Sequence, residues 1–197
     1  FRSTMAATAT AIVHWNGIPV FADIDPLSFN IDPAQVERLI SPQTRAIIVA
    51  DIFGQSADMI TLKEIAQRYR LRLISDTAQA PGATYHGRHA GTLADIGGYS
   101  LNYHKHIHCG EGGVLVTNDD MLAKRLCMIR NHAEAVVEGD DPNTLCNMIG
   151  YNFRLGEIEA AIASLQLDKL TSRVESRQRA AAQLNRNLFV LVILRPP

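Results

Sequence analysis

Residues 45–76 read RAIIVADIFGQSADMITLKEIAQRYRLRLISD, and their pattern decides the fold class. Arg45 to Ala50 is a near-continuous, β-branched run, which suits a strand buried on both faces. From Asp58 to Tyr69 the apolar residues Ile60, Leu62, Ile65, Ala66 and Tyr69 recur at helical spacing and give one buried stripe. Leu71 to Ser75 is the next strand, and Asp76 stands directly after it.

The same alternation extends outward. Upstream, Thr4 to His14 is helix-compatible and Asn16-Gly17 stops it. Ile18 to Ala22 reads as a short strand, and Asp32-Pro33 as the capped start of a helix that runs to about Ile40. Downstream, Val114 to Thr117 is a strand and Asp119 to Arg130 a helix. Glu138 to Asn147 is polar and loop-like. Leu155 to about Leu188 is helical with no Gly or Pro after Gly156, and the apolar run Leu188 to Leu194 reads as the start of a further strand. Alternating strands and helices mean an α/β fold with a largely parallel sheet. We divide it into a partial large domain, residues 1–155, and a connecting helix that opens a small domain, residues 156–197. The absence of an initiator methionine and the abrupt stop at Arg195-Pro-Pro197 lead us to expect a piece of a longer protein.

Bulk properties narrow the class. The chain has 197 residues, 47% hydrophobic and 20% charged, with a formal charge of -1. That balance offers no electrostatic footprint for nucleic acid or an anionic membrane. No apolar stretch is long enough to span a bilayer. Cys109, Cys127 and Cys146 are an odd number without framework spacing, which points to reduced thiols and a cytoplasmic protein.

Several residues could carry chemistry. Asp76 sits where open α/β sheets bind ligands, at the carboxyl end of a strand, although an aspartate there commonly caps a helix. Lys105 lies between Ser100 and the turn Gly110-Glu-Gly-Gly113. A lone lysine is normally a surface charge, but a hydroxyl, a lysine and a glycine-rich turn together suit an anionic phosphate beside a carbonyl-reactive amine. His104, His106 and His108 alternate and would face one side of a strand, yet no second ligand motif accompanies them, so no metal site is assigned. The dinucleotide, P-loop and nucleophile-elbow fingerprints are all absent.

The order Pro19-Val-Phe-Ala-Asp-Ile-Asp25, Gly54-Gln-Ser-Ala-Asp-Met59, Asp76-Thr-Ala-Gln79-Ala-Pro-Gly-Ala83, Gly97-Gly-Tyr-Ser100, Lys105, Gly110-Glu-Gly-Gly113, Arg130-Asn-His132 and Gly150-Tyr-Asn-Phe-Arg154 resembles the DegT/DnrJ/EryC1/StrS aminotransferases. The resemblance implies the large domain of a fold-type-I pyridoxal-phosphate transferase, with a mostly parallel mixed sheet in three α/β/α layers. It also implies an incomplete N-terminus and a mostly missing small domain. By the same resemblance, Lys105 is the Schiff-base lysine and Asp76 pairs with the pyridinium nitrogen. Gln79 lies beside the ring and its phenolic oxygen, and Ser100 holds the phosphate. Asn152 reaches the phosphate of a neighbouring subunit, and Arg154 assists with substrate. The implied cofactor is pyridoxal phosphate, the implied reaction amination of a keto-sugar nucleotide by glutamate, and the implied unit a homodimer. Near Met5 the family usually carries an aromatic ring, so this position departs from its pattern. The alternatives are an inactive or regulatory relative, and a deoxysugar dehydratase, which carries histidine where the transaminases keep lysine.

Overall fold

The computed structural model describes residues 4–134 and 148–190. Helix α1, Ala6–His14, ends as expected: Asn16 takes a positive φ of 59°, its N–H bonds the carbonyl of Val13, and the N–H of Gly17 bonds that of Ile12. Helix α2, Pro33–Leu39, starts on proline behind Asp32, whose carboxylate accepts from the Ala34 N–H at 2.8 Å. Strand β1, Ala46–Ala50, helix α3, Met59–Arg68, and strand β2, Arg72–Asp76, form the expected parallel unit, with Ala46 opposite Arg72 and Ala50 opposite Asp76. A short 3-10 turn, Ile52–Gly54, follows β1. The core of this unit is Ile47, Val49 and Leu73 from the sheet against Val36, Met59, Leu62, Ile65 and Ala66 from the helices. Each fully buried Val or Leu there contributes about 1.5–3 kcal/mol.

Strands β3, Thr84–Tyr85, and β4, Arg88–His89, form a small hairpin turned by His86-Gly87, both at positive φ as such turns require. Strand β5, Ile96–Ser100, lies parallel to β2, and strand β6, Gly113–Val116, returns antiparallel beside it. The sheet order is β1-β2-β5-β6, mixed and mainly parallel. Helix α4, Asp120–Arg130, is capped by Asp119 through the N–H groups of Met121 and Leu122. Helices α5, Glu157–Leu167, and α6, Leu170–Val190, complete the described chain.

Three expectations are corrected. Residues 18–22 form no strand: among the described residues no neighbour pairs with them, and Ile18 is 88% exposed. The single helix over 155–188 is two, because the Lys169 N–H bonds Gln166 three residues back and tightens the chain at the junction. Leu188 to Val190 belong to α6 rather than to a strand. The loop expected at 138–147, the rest of the strand expected to 194, and Cys146 lie outside the described residues. No described helix is long and apolar enough to cross a membrane.

Candidate functional site

Because β1, β2 and β5 run parallel, their carboxyl ends share one edge of the sheet. Asp51, Asp76 and Ser100 stand at that edge. Beneath it lies a buried polar floor that inspection of the sequence did not single out. Asp51 is 1% exposed; one carboxylate oxygen accepts from the Ala57 N–H at 3.0 Å. The other accepts from the hydroxyls of Ser75 and Thr77 at 2.9 and 2.8 Å. Buried Asn30 accepts from the Ile52 N–H at 2.9 Å and donates to the carbonyls of Gln55 and Ser56. The available signal for Asp51 was the one that marked Asp76, an acid directly after a β-branched strand.

Asp76 is half-buried, and no helix follows it, so it is not a helix cap. Its Oδ1 accepts from the Ala78 N–H at 3.2 Å and its Oδ2 from the Thr8 hydroxyl at 2.6 Å. Gln79 lies in the turn beyond, and its Oε1 accepts a long bond, 3.4 Å, from the Phe53 N–H. Phe53 and Gly54, within the 3-10 turn, hold positive φ of 55° and 84°. Ser100 ends β5, two residues past Gly98, which pairs with Asp76. Its oxygen accepts from the Asn102 N–H at 3.2 Å, leaving its proton for another acceptor.

Lys105 lies in the loop between β5 and β6, and the loop is braced throughout. The Leu101 N–H bonds the carbonyl of Gly112, and the Cys109 N–H that of Leu101. Asn102 donates to the Glu111 carboxylate at 2.7 Å. Leu101, Ile107 and Cys109 are buried against Leu155, Ala163 and Leu170, so α5 and α6 close over the loop. Arg173 of α6 donates from Nη1 to the carbonyl of His106 at 2.6 Å. Among the described residues the Lys105 ammonium has no hydrogen bond or ion pair, and its side chain is half-buried.

The three histidines do not align, because residues 101–112 form a loop and not a strand. His104 is exposed with its ring 3.8 Å from that of Tyr103. Burial pushes the pKa of His106 down, helped by the nearby charges of Arg177, Lys105 and Arg173. No group of three or more metal-ligating side chains occurs among the described residues. Burial pushes the Cys109 thiol up, with smaller contributions from Glu159 and Glu111, and both Cys109 and Cys127 are free.

Asn152 lies on the segment that follows the residues outside the description. It pairs in a single bridge with Asn131, and its side chain is exposed with no described bond to Asp76, Gln79, Ser100 or Lys105. Gly150 permits the approach: a Cβ there would lie 2.0 Å from the backbone nitrogen of Ala133. Arg154 donates to Asn131 at 2.8 Å. Met5 precedes α1 and is 64% exposed.

The model of the DegT/DnrJ/EryC1/StrS aminotransferase family matches residues 2–194. A pleiotropic regulatory protein of Geobacillus stearothermophilus is 42% identical over 94% of this chain and 48% of its own length. A GDP-perosamine synthase of Caulobacter vibrioides is 37% identical over 94% of this chain and 49% of its own. The solved structure of Helicobacter pylori PseC, an aminotransferase involved in the biosynthesis of pseudoaminic acid, superposes with a TM-score of 0.83. It is 32% identical, covering 93% of this chain and 49% of its own. The chain thus spans about half the length of the curated relatives it matches.

Proposed function

The chain belongs to the DegT/DnrJ/EryC1/StrS aminotransferase family, and from that premise we propose that the whole protein transfers an amino group from glutamate to a keto-sugar nucleotide. The cofactor of this family is pyridoxal phosphate. The observation that carries the reading is the Lys105 ammonium, unpaired among the described residues and held in a braced loop beside the edge that presents Asp76 and Ser100.

The donor set suits the cofactor. Each oxygen of Asp76 has accepted one hydrogen bond and keeps a lone pair, so the carboxylate can hold a protonated ring nitrogen. Gln79 offers an amide with two N–H donors beside it for a phenolic oxygen. Ser100 has a hydroxyl proton for a phosphate. Bound there, the cofactor supplies an electron sink for the pair left on the substrate carbon. Lys105 would hold the cofactor through Nζ and, once the donor's amino group had displaced it, would carry the substrate proton at that freed amine. We assign Asn152 to the phosphate of a neighbouring subunit, within a homodimer, on the grounds of its exposed side chain. Helices α5 and α6 then lead from the large domain toward a small one.

The sugar-nucleotide substrate is supported by relatives such as the GDP-perosamine synthase. The regulatory relative supports a second reading, in which the fold is kept for control rather than catalysis. Loading the whole protein with pyridoxal phosphate, reducing with borohydride and mapping the adduct tests the site. We expect the label on Lys105 and none on Lys105→Ala. Labelling of a different lysine, or undiminished labelling of the variant, refutes the assignment. Cofactor bound at Lys105 without turnover of any keto-sugar nucleotide, with glutamate or glutamine as donor, favours the regulatory reading.

A further inference from the structure

The contact that neither motif nor composition announces is the one between Thr8 and Asp76. A threonine inside a helix commonly turns its hydroxyl back to a carbonyl of the preceding turn. Thr10 does this, donating to the carbonyl of Ala7 at 3.2 Å. Thr8, two residues earlier in the same helix, does not. Its hydroxyl crosses 68 residues of sequence and donates to Asp76 Oδ2 at 2.6 Å.

Proton counting fixes the direction of the chain of bonds. An ionised carboxylate only accepts, and a hydroxyl has one proton to give. The Thr8 proton therefore lies toward Asp76, and the 3.0 Å contact between Thr4 and Thr8 is made by the proton of Thr4. The polarity runs Thr4 to Thr8 to Asp76, and such a series strengthens each of its members. On the opposite oxygen the Ala78 N–H donates at 3.2 Å. The terminal torsion of an aspartate is broad, so a carboxylate with no second donor would swing. Here it is gripped at both oxygens, and the remaining lone pairs have fixed directions. Helix α1 contributes no buried residue, so little apolar packing competes with this bond in setting how α1 sits on the sheet.

We propose that Thr8 is a positioning residue for the cofactor site: its hydroxyl, backed by Thr4, fixes the plane of the Asp76 carboxylate so that it meets the ring nitrogen of pyridoxal phosphate. This inference rests on the assignment of Asp76 and Lys105 to that cofactor.

The test is a titration of apo whole protein with pyridoxal phosphate, followed by visible absorbance, for the wild type, Thr8→Val and Thr8→Ser. Valine keeps the shape and removes the donor; serine keeps the donor. A hydrogen bond to a charged group of this kind predicts at least a ~10-fold weaker cofactor affinity for Thr8→Val. Thr8→Ser should remain within ~3-fold of the wild type. Thr8→Ala, a better helix former, repeats the comparison should valine disturb α1. Affinity of Thr8→Val and Thr8→Ala equal to the wild type overturns the proposal. So does a Thr8→Ser protein as impaired as Thr8→Val, because the hydroxyl would then not be what matters. Failure of the wild type itself to take up cofactor overturns the assignment of the site, and the role of Thr8 with it; wild-type uptake matched by Thr8→Val overturns the role of Thr8 alone.

Discussion

Replacing Asp51 with alanine should cost about 3 kcal/mol, within a range of ~2–5. Three donors point at its carboxylate: the Ala57 N–H, the Ser75 hydroxyl and the Thr77 hydroxyl. Thr77 is 0% exposed and Ser75 and Ala57 are 1% exposed, so water cannot replace the lost acceptor. The two hydroxyls lie 2.9 Å apart and can bond each other, which rescues one of them. One hydroxyl proton and the Ala57 N–H remain without a partner, at about 1–3 kcal/mol each. Removing a buried charge returns part of this, which keeps the total below the simple sum. Urea unfolding of the whole protein, followed by far-UV circular dichroism, reads the loss. A double-mutant cycle sharpens it. Thr77→Val should be costly in the wild type and nearly neutral beside Asp51→Ala, a coupling of at least ~1 kcal/mol. An Asp51→Ala cost under ~1 kcal/mol, or additivity within ~0.3 kcal/mol, would refute the idea that this network holds the floor under Asp76.

Two further outcomes follow from local geometry. Burial raises the pKa of Asp58, but hydrogen bonds from the Thr61 hydroxyl, Tyr85 and the N–H groups of Thr61 and Ile60 outweigh it and hold the group below the ordinary carboxylate range. A depressed folded-state value means stabilisation that is complete above the unfolded value and is lost as pH falls through the folded one. Asp58→Ala should therefore cost ~1 kcal/mol as a lost cap at neutral pH, with the gap to the wild type closing below about pH 4; a gap independent of pH contradicts the assignment. At the other end of α3, Arg70 holds a positive φ of 55°, with its N–H on the carbonyl of Gln67 and that of Leu71 on Ala66. Glycine fits this position, so Arg70→Gly should stabilise by ~0.5–1 kcal/mol in thermal or urea unfolding. Arg70→Ala keeps the strain and should show no gain; equal effects of the two would refute a conformational cause.

The parallel unit around α3 was legible because burial is written into its residues, as a β-branched run, a helical stripe and a second run. Strand β5 was not, since Gly97-Gly98 reads as a turn. The glycine at 97 has another reason: a Cβ there would lie 2.0 Å from the carbonyl oxygen of Gly91. The break between α5 and α6 contains neither Gly nor Pro and is marked by a hydrogen bond spanning three residues instead of four, which composition does not record. Residues 18–22 have strand composition, but composition cannot supply a neighbour. At the site, Asp76 and Lys105 stand out as candidates in the sequence because one follows a strand and the other lies beside a glycine-rich turn. Thr8 and Asp51 act across 68 and 26 residues, where only the folded chain brings donor to acceptor.

The tie from Arg173 to the carbonyl of His106 also sets how the lysine loop responds to whatever α6 is attached to. Helix α6 is a lever whose fulcrum is the break at Asp168-Lys169. Arg173 lies ~6 Å along it and Val190 ~31 Å, at 1.5 Å per residue. A rigid swing of ~2 Å at Val190 therefore reaches Arg173 as ~0.4 Å, less than the slack of one hydrogen bond. The short arm is tied to the loop, so jostling at the far end arrives at that tie geared down about fivefold.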